Sequence, residues 1–289
     1  LRRGAAAPII FTSNHDRSPA MKLCRFQPQE FAASDVARAP RDVHPQPRHG
    51  IIDSGAVHEF SGDLWGARER TGREWPLDSV KLLPPSTPTK IICIGKNYAD
   101  HAAEMGGPPP KEPLIFMKPP SAIIAPEEPI ILPAISQRVD YEGEIAVIIG
   151  RRCHLLGAGD DVRPYILGHT CLNDVTARDL QKQDGQWTRG KGFDTFCPFG
   201  PVLESDLHLA DTHLETFVNG IRKQSASPSE MIFSVDVIIR WIAQVMTLEP
   251  GDVIATGTPA GIGTLAAGDV VEVSISGIGT LRNPVTSDP

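Results

Sequence analysis

The sequence predicts an α+β, strand-rich fold: a β-sandwich or roll with a few helices, not a doubly wound sheet. Three observations carry this. Short apolar runs recur along the chain, separated by glycine, proline and asparagine turn signals. Only one long stretch, 229–247, repeats its apolar residues at helical spacing. The connections between apolar runs read as loops, where a doubly wound sheet needs a regular helix after each strand.

In chain order, MKLCRF from Met21 alternates apolar and polar residues, as a half-buried strand does. Gly50–Phe60, GIIDSGAVHEF, reads as a hairpin turning at Asp53, Ser54 and Gly55. Residues 82–90, LLPPSTPTK, hold three prolines, each fixing φ and removing a donor, and predict an extended linker. It divides a small N-terminal domain, 21–85, from a main domain, 86–289, and residues 1–20 read as a disordered extension. Ile91–Ile94 is a short apolar run. Asn97 or Asp100 then caps a short helix carrying His101 and Glu104, ended by Gly106 and Gly107.

LIFMKPPSAIIAP is a strand broken by prolines, EGEIAVIIG and YILGHTCLNDVT are strands, and Asp160–Tyr165 is a turn or short helix. Residues 177–200 are polar and glycine-rich and predict a long loop, of a size that is functional or disordered. LETFVNGIRKQSAS is a hairpin over Asn219-Gly220. The helix 229–247 presents Ile232, Val235, Ile238, Ile239, Ile242 and Val245, and Pro250-Gly251 stops it. Short strands and glycine turns complete the chain.

The 289 residues carry a net charge of −7. That excludes a basic surface tracking phosphates, hence a nucleic-acid partner, and leaves room for a small anionic ligand held by local cations. No apolar run reaches the roughly 18 residues of a membrane span, so no membrane partner is expected. Cys24, Cys93, Cys153, Cys171 and Cys197 lie in or near apolar text without a CxxC pair, which reads as buried, reduced thiols in a cytoplasmic protein.

Candidate chemistry concentrates in Arg138–Gly150, RVDYEGEIAVIIG. Strand alternation puts Glu142 and Glu144 on one face with Ala146 and Ile148, and Ile145, Val147 and Ile149 on the other. Both faces are apolar, which predicts a buried strand with two acids at one end. Two ionised carboxylates repel, and burial worsens it. Either one is protonated, a basic group or a metal sits against them, or the strand end reaches water. Asp174 ends the strand YILGHTCLND on the face of Leu172 and Thr170, away from His169 and Cys171. Three hard oxygen donors suit Mg2+, Mn2+ or Ca2+ rather than zinc. Taken as bare residues, His101 and Glu104 are a surface helical pair and Lys191 a solvated loop charge. His44, His58, His154, His169, His208 and His213 show no ligand-like spacing.

Several stretches then act together. GKNYADHAAEM, LIFMKPPSAII, VDYEGEIAVIIG, LGHTCLNDVTARDLQ, WTRGKGFDTFCPFGP, VNGIRKQ, EMIFSVDVIIRWIAQVMTLEPGDVIATGTPAGIG and GIGTLRNPV resemble the fumarylacetoacetate hydrolase family, in its short bacterial-type, acylpyruvase-like form, over Ile91–Val285. The resemblance implies that family's mixed β-sandwich roll, a homodimer, and Mg2+ or Mn2+ bound by Glu142, Glu144 and Asp174. It makes His101 and Glu104 a dyad that polarises water, and Lys191 a stabiliser of developing enolate charge. It gives Arg178, Gln181 and Thr258 the binding of substrate oxygens, with Tyr98 and Lys118 as further pocket candidates. The implied substrate is a small anionic 2-oxo acid, a 2,4-dioxo acid whose C–C bond is hydrolysed. Decarboxylation, isomerisation or tautomerisation, as of oxaloacetate or a hydroxy-dienedioate, is the alternative. A non-catalytic binding protein is a third.

Overall fold

The computed structural model describes residues 21–29 and 46–288; the expected extension 1–20 and His44 lie outside the described residues. Within them, a twelve-stranded mixed sheet runs beside a five-stranded and a three-stranded one. The strand-rich expectation holds.

At the heart of the large sheet, Gly143–Ile149 pairs antiparallel with Ile166–Asn173, in register from Gly143 opposite Asn173 to Ile148 opposite Gly168. All seven residues of Gly143–Ile149 are buried, as its two apolar faces require. Ala146 and Ile148 pack with Leu172, Cys93 and Ala255. Val147 and Ile149 pack on the other side, against Ile238, Ile239 and Ile242. Outward in one direction come Val253–Ala255, then Ile91–Gly95 in parallel, then Leu114–Lys118. In the other direction come Cys197–Glu204 and then Lys22–Pro28, which leads into the strands Arg48–Asp53, Ala56–Ser61 and Glu69–Pro76. The N-terminal segment thus extends the same sheet.

Four helices are used below: α1 (Ala99–Glu104), α2 (Arg178–Asp184), α3 (Thr188–Lys191) and α4 (Val235–Val245). Three expectations need correction. Neither Asn97 nor Asp100 caps α1; Tyr98 stands at that position without a side-chain cap bond. Asn97 instead donates to the carbonyls of Phe233 and Thr256 at 3.0 and 2.7 Å and accepts the Phe233 N–H at 2.8 Å, satisfying buried backbone groups of two other segments. Residues 177–200 are not a loop. They fold into α2, stopped by Gly185 at φ 67°, then α3 and the start of the Cys197–Glu204 strand. The long helix begins only at Val235, because the Ser234 side chain accepts the Val237 N–H and a 3-10 turn occupies Pro228–Glu230. Ile232 therefore precedes it. Val245, at its last position, is 62% exposed, and Ala243 joins the buried face instead.

The two hairpins fall where their turn residues put them, with Ser54, Gly55, Asn219 and Gly220 at positive φ. All five cysteines are free and buried. Among the described residues no helix is long and apolar enough to cross a membrane.

Candidate active site

The acids meet because the backbone clamps two strand ends together. Glu142 sits between the strands Val139–Tyr141 and Gly143–Ile149. Its N–H donates to Asn173 Oδ1 at 2.9 Å, and the Asp174 N–H donates to the Glu142 carbonyl at 2.8 Å. Gly143 between the glutamates is needed for space: a Cβ there would lie 2.1 Å from Thr216 Oγ1. Carboxylate oxygens of Glu142, Glu144 and Asp174 lie within 4.8 Å of one another, and all three residues are buried.

Buried cations border the triad. Lys191 Nζ donates to Glu142 at 2.8 Å and to Asp174 at 2.5 Å. Lys118 Nζ donates to the other Asp174 oxygen at 2.5 Å and to the Val175 carbonyl at 2.9 Å. Arg178 donates to Asp140 at 2.9 Å, to Gln181 at 2.7 Å and to Glu142. Lys191 is 2% exposed, so its bare-residue reading as a solvated charge is overturned. The reason is packing: Gly190 rests on the backbone of Gln181, where a Cβ would come within 2.9 Å of the Cα and N atoms, and this turns α3 inward.

The acids divide electrostatically. Burial alone would raise Glu142, but the charges of Lys191, Arg178 and His101 outweigh it and hold its carboxyl well below the usual range. Glu144 is pushed well above that range, by burial first and then by Asp174 and Glu142. It accepts the Gly257 N–H at 2.7 Å, and no ammonium or guanidinium pairs with it among the described residues. Lys191 is raised: burial pulls it down, but Asp174 and Glu142 pull harder the other way. Three buried hard oxygens, one lacking a counter-charge, fit a small divalent cation.

His101 is buried, and its Nδ1 lies 3.1 Å from Glu104 Oε2. The other Glu104 oxygen accepts the Gly261 N–H at 3.2 Å. The surface pair suggested by the spacing alone is thus half right: Glu104 is exposed, while the imidazole is buried. His101, Glu142, Glu144, Asp174, Arg178 and Lys191 line one narrow cleft, together with Gln181 and Thr258. Every expected catalytic, binding and metal residue except Glu104 borders this space, and Glu104 reaches it through His101. Thr258 donates its hydroxyl to the Gly143 carbonyl at 2.9 Å and accepts from Gln224 at 2.8 Å, so it also props the strand carrying the glutamates. Tyr98 opens on a different cavity, with Asp100, Ser225, Glu230 and Pro259. Lys118 reaches the site through Asp174.

Sequence reasoning missed Asp140, which is fully buried and orients Arg178. Alternation held the signal, since 140, 142 and 144 fall on one side of an extended chain. It also missed Phe116 and Trp187, an edge-to-face pair 5.0 Å apart in the cleft wall, with Lys191 Nζ 4.9 Å from the Phe116 ring centre.

The family model described as fumarylacetoacetate (FAA) hydrolase C-terminal matches residues 90–286, and one described as Rv2993c-like, N-terminal matches 21–85. Protein Rv2993c of Mycobacterium tuberculosis is 54% identical over 232 residues, 79% of this chain and 87% of that one. The mitochondrial oxaloacetate tautomerase fahd2 of Xenopus laevis is 44% identical over 220 residues, 72% of this chain and 69% of that one. The crystal structure of a 2-hydroxyhepta-2,4-diene-1,7-dioate isomerase from Mycobacterium marinum superposes with a TM-score of 0.81 at 43% identity, covering 93% of this chain and 99% of that one.

Proposed function

The chain belongs to the fumarylacetoacetate hydrolase family, and on that premise we propose that it uses Mg2+ or Mn2+ to bind a small anionic 2-oxo acid and shifts a proton on the carbon beside the oxo group. This is tautomerase or isomerase chemistry. The observation that carries it is a His–Glu pair whose buried imidazole lines the same cleft as three clustered buried acids.

Glu142, Glu144 and Asp174 would hold the cation. Bound there, it would supply Lewis-acid polarisation of the oxo group. The chain's own residues do the rest. Glu104 engages His101 Nδ1, which fixes the ring and leaves Nε2 to take or return the proton. Glu104 also steadies the charged ring formed in between. Lys191 and Arg178 lend positive charge on one side, and the Gln181 amide nitrogen offers a donor to a carboxylate. Phe116 and Trp187 narrow the cleft and exclude water.

Hydrolytic cleavage of a 2,4-dioxo acid, the first expectation from the sequence, is the second reading. There the dyad would take its proton from water. The tautomerase and isomerase named among the similar proteins favour the proton shift; the matching family description keeps hydrolysis in play.

The test follows loss of the oxaloacetate enol and cleavage of an acylpyruvate in chelated protein, with and without restored Mg2+ or Mn2+. Metal-dependent acceleration of enol loss is expected. Acceleration of acylpyruvate cleavage alone would promote hydrolysis, and equal rates in chelated protein would overturn both readings.

A further inference from the structure

Beside the cleft lies a second cavity, open to solvent where Arg138 and Lys182 are exposed, and lined by these two with Glu104, Met105, Arg178 and Ile262. Met105 and Arg178 border both spaces, so the two adjoin. Its cations gather for local reasons. The Arg178 N–H donates to the Arg138 carbonyl at 2.7 Å where α2 begins, and Lys182 follows one helical turn later on the same face.

The groups around this cavity differ in how fully they are engaged. Arg178 is committed to Asp140, Glu142 and Gln181. Glu104, the acid in the wall, has one oxygen on His101 and the other on the Gly261 N–H. Asp179, the neighbouring acid of α2, is engaged with Ser136 and the Gln137 N–H. Arg138 commits only Nε, to Asp140 at 2.9 Å, and keeps both terminal nitrogens. The Lys182 ammonium has no hydrogen bond or ion pair among the described residues. Two cations with donors to spare, next to a reaction cleft, match a carboxylate, whose two oxygens fit the paired N–H groups of a guanidinium.

We infer that this second cavity receives the far carboxylate of the substrate, so that Arg138 and Lys182 select dicarboxylic over monocarboxylic 2-oxo acids. The inference rests on the reading of the cleft as a 2-oxo acid site. Neither residue touches the reacting end; both act on specificity.

The experiment titrates three probes calorimetrically into Mn2+-loaded protein. Oxalate carries only the chelating end. 2-Oxopentanoate and 2-oxoglutarate have equal chain length and differ in ending on a methyl or a carboxylate. In the parent protein 2-oxoglutarate should bind about tenfold tighter or more, a gap the R138Q/K182Q double variant should shrink to about twofold while oxalate affinity holds. Melting temperatures of both proteins confirm that the variant folds. Equal affinities for the two five-carbon acids in the parent would overturn the inference. So would an undiminished preference in the double variant, or a loss shared equally by oxalate. Should oxalate fail to bind at all, the reading of the cleft falls, and the diacid-to-monoacid ratio still decides the subsite.

Discussion

Replacing Glu144 with glutamine should make the metal-free protein more stable and the metal-treated protein less responsive. Unit charges 4.8 Å apart, the outer separation of the triad oxygens, repel by about 3.5 kcal/mol at an effective dielectric of about 20. Glu142 and Asp174 each have an ammonium against them, while Glu144 has none among the described residues. Burial first, and then the charges of Asp174 and Glu142, push its carboxyl well above the usual range, so the metal-free site favours its protonated form at a cost. Glutamine removes this cost and can still accept the Gly257 N–H. A gain of about 1–3 kcal/mol follows, or about 3–8 °C in Tm for a chain of this size. The same change deletes one of three anionic oxygens. A ligand at a hundred times its Kd stabilises by about 2.7 kcal/mol, and that increment should nearly vanish. Thermal melts after chelation, then across a Mg2+ or Mn2+ titration, read both effects. A variant that melts lower than the parent without metal, or keeps the parent's metal-induced shift, would refute the reasoning.

Four further outcomes follow from the same contacts. Apparent metal affinity should rise with pH through the acid-to-neutral range, because the raised carboxyl of Glu144 must release its proton to bind; titrations at several pH values check the sign, and a flat profile contradicts it. His169 is buried with neither ring nitrogen hydrogen-bonded, and burial pulls its pKa down to about 4. Its stabilising share is complete above the unfolded value near 6.5 and is lost as pH falls through 4, on the order of 3 kcal/mol. The urea midpoint of His169→Leu should therefore fall less than the parent's between pH 7 and 4. Gly190→Ala should cost about 1–3 kcal/mol and most turnover, since the new methyl meets the Gln181 backbone, which cannot swing aside; an unchanged Tm argues against the packing account. His101→Ala should abolish turnover yet leave the Mn2+-induced melting shift intact, and a lost shift would mean the dyad also shapes the metal site.

The parts of this molecule legible in the sequence obey rules that act within a few residues. Period-two alternation put Glu142 and Glu144 on one face, and Asn219-Gly220 announced its hairpin. What escaped is set by distant packing. Lys191 lies in polar, glycine-rich text and looks solvated; only the fit of Gly190 onto Gln181 turns it inward to Glu142 and Asp174. The counter-charges of the triad come from three separate segments, at Lys118, Arg178 and Lys191, and no local pattern links them. Asn97 looked like a cap because nothing nearby shows that Phe233 and Thr256 need its amide. Yet the question raised by the buried acids was the right one, and the structure gives it physical terms. Three buried cations, Lys118, Arg178 and Lys191, face four buried acids, Asp140, Glu142, Glu144 and Asp174. Asp140, Glu142 and Asp174 each have a cation against them, Asp140 a second one in Arg138, and Glu144 alone has none among the described residues. A divalent cation at Glu144 would supply the missing partner and add positive charge to the cleft, which favours entry of an anionic 2-oxo acid into a buried site.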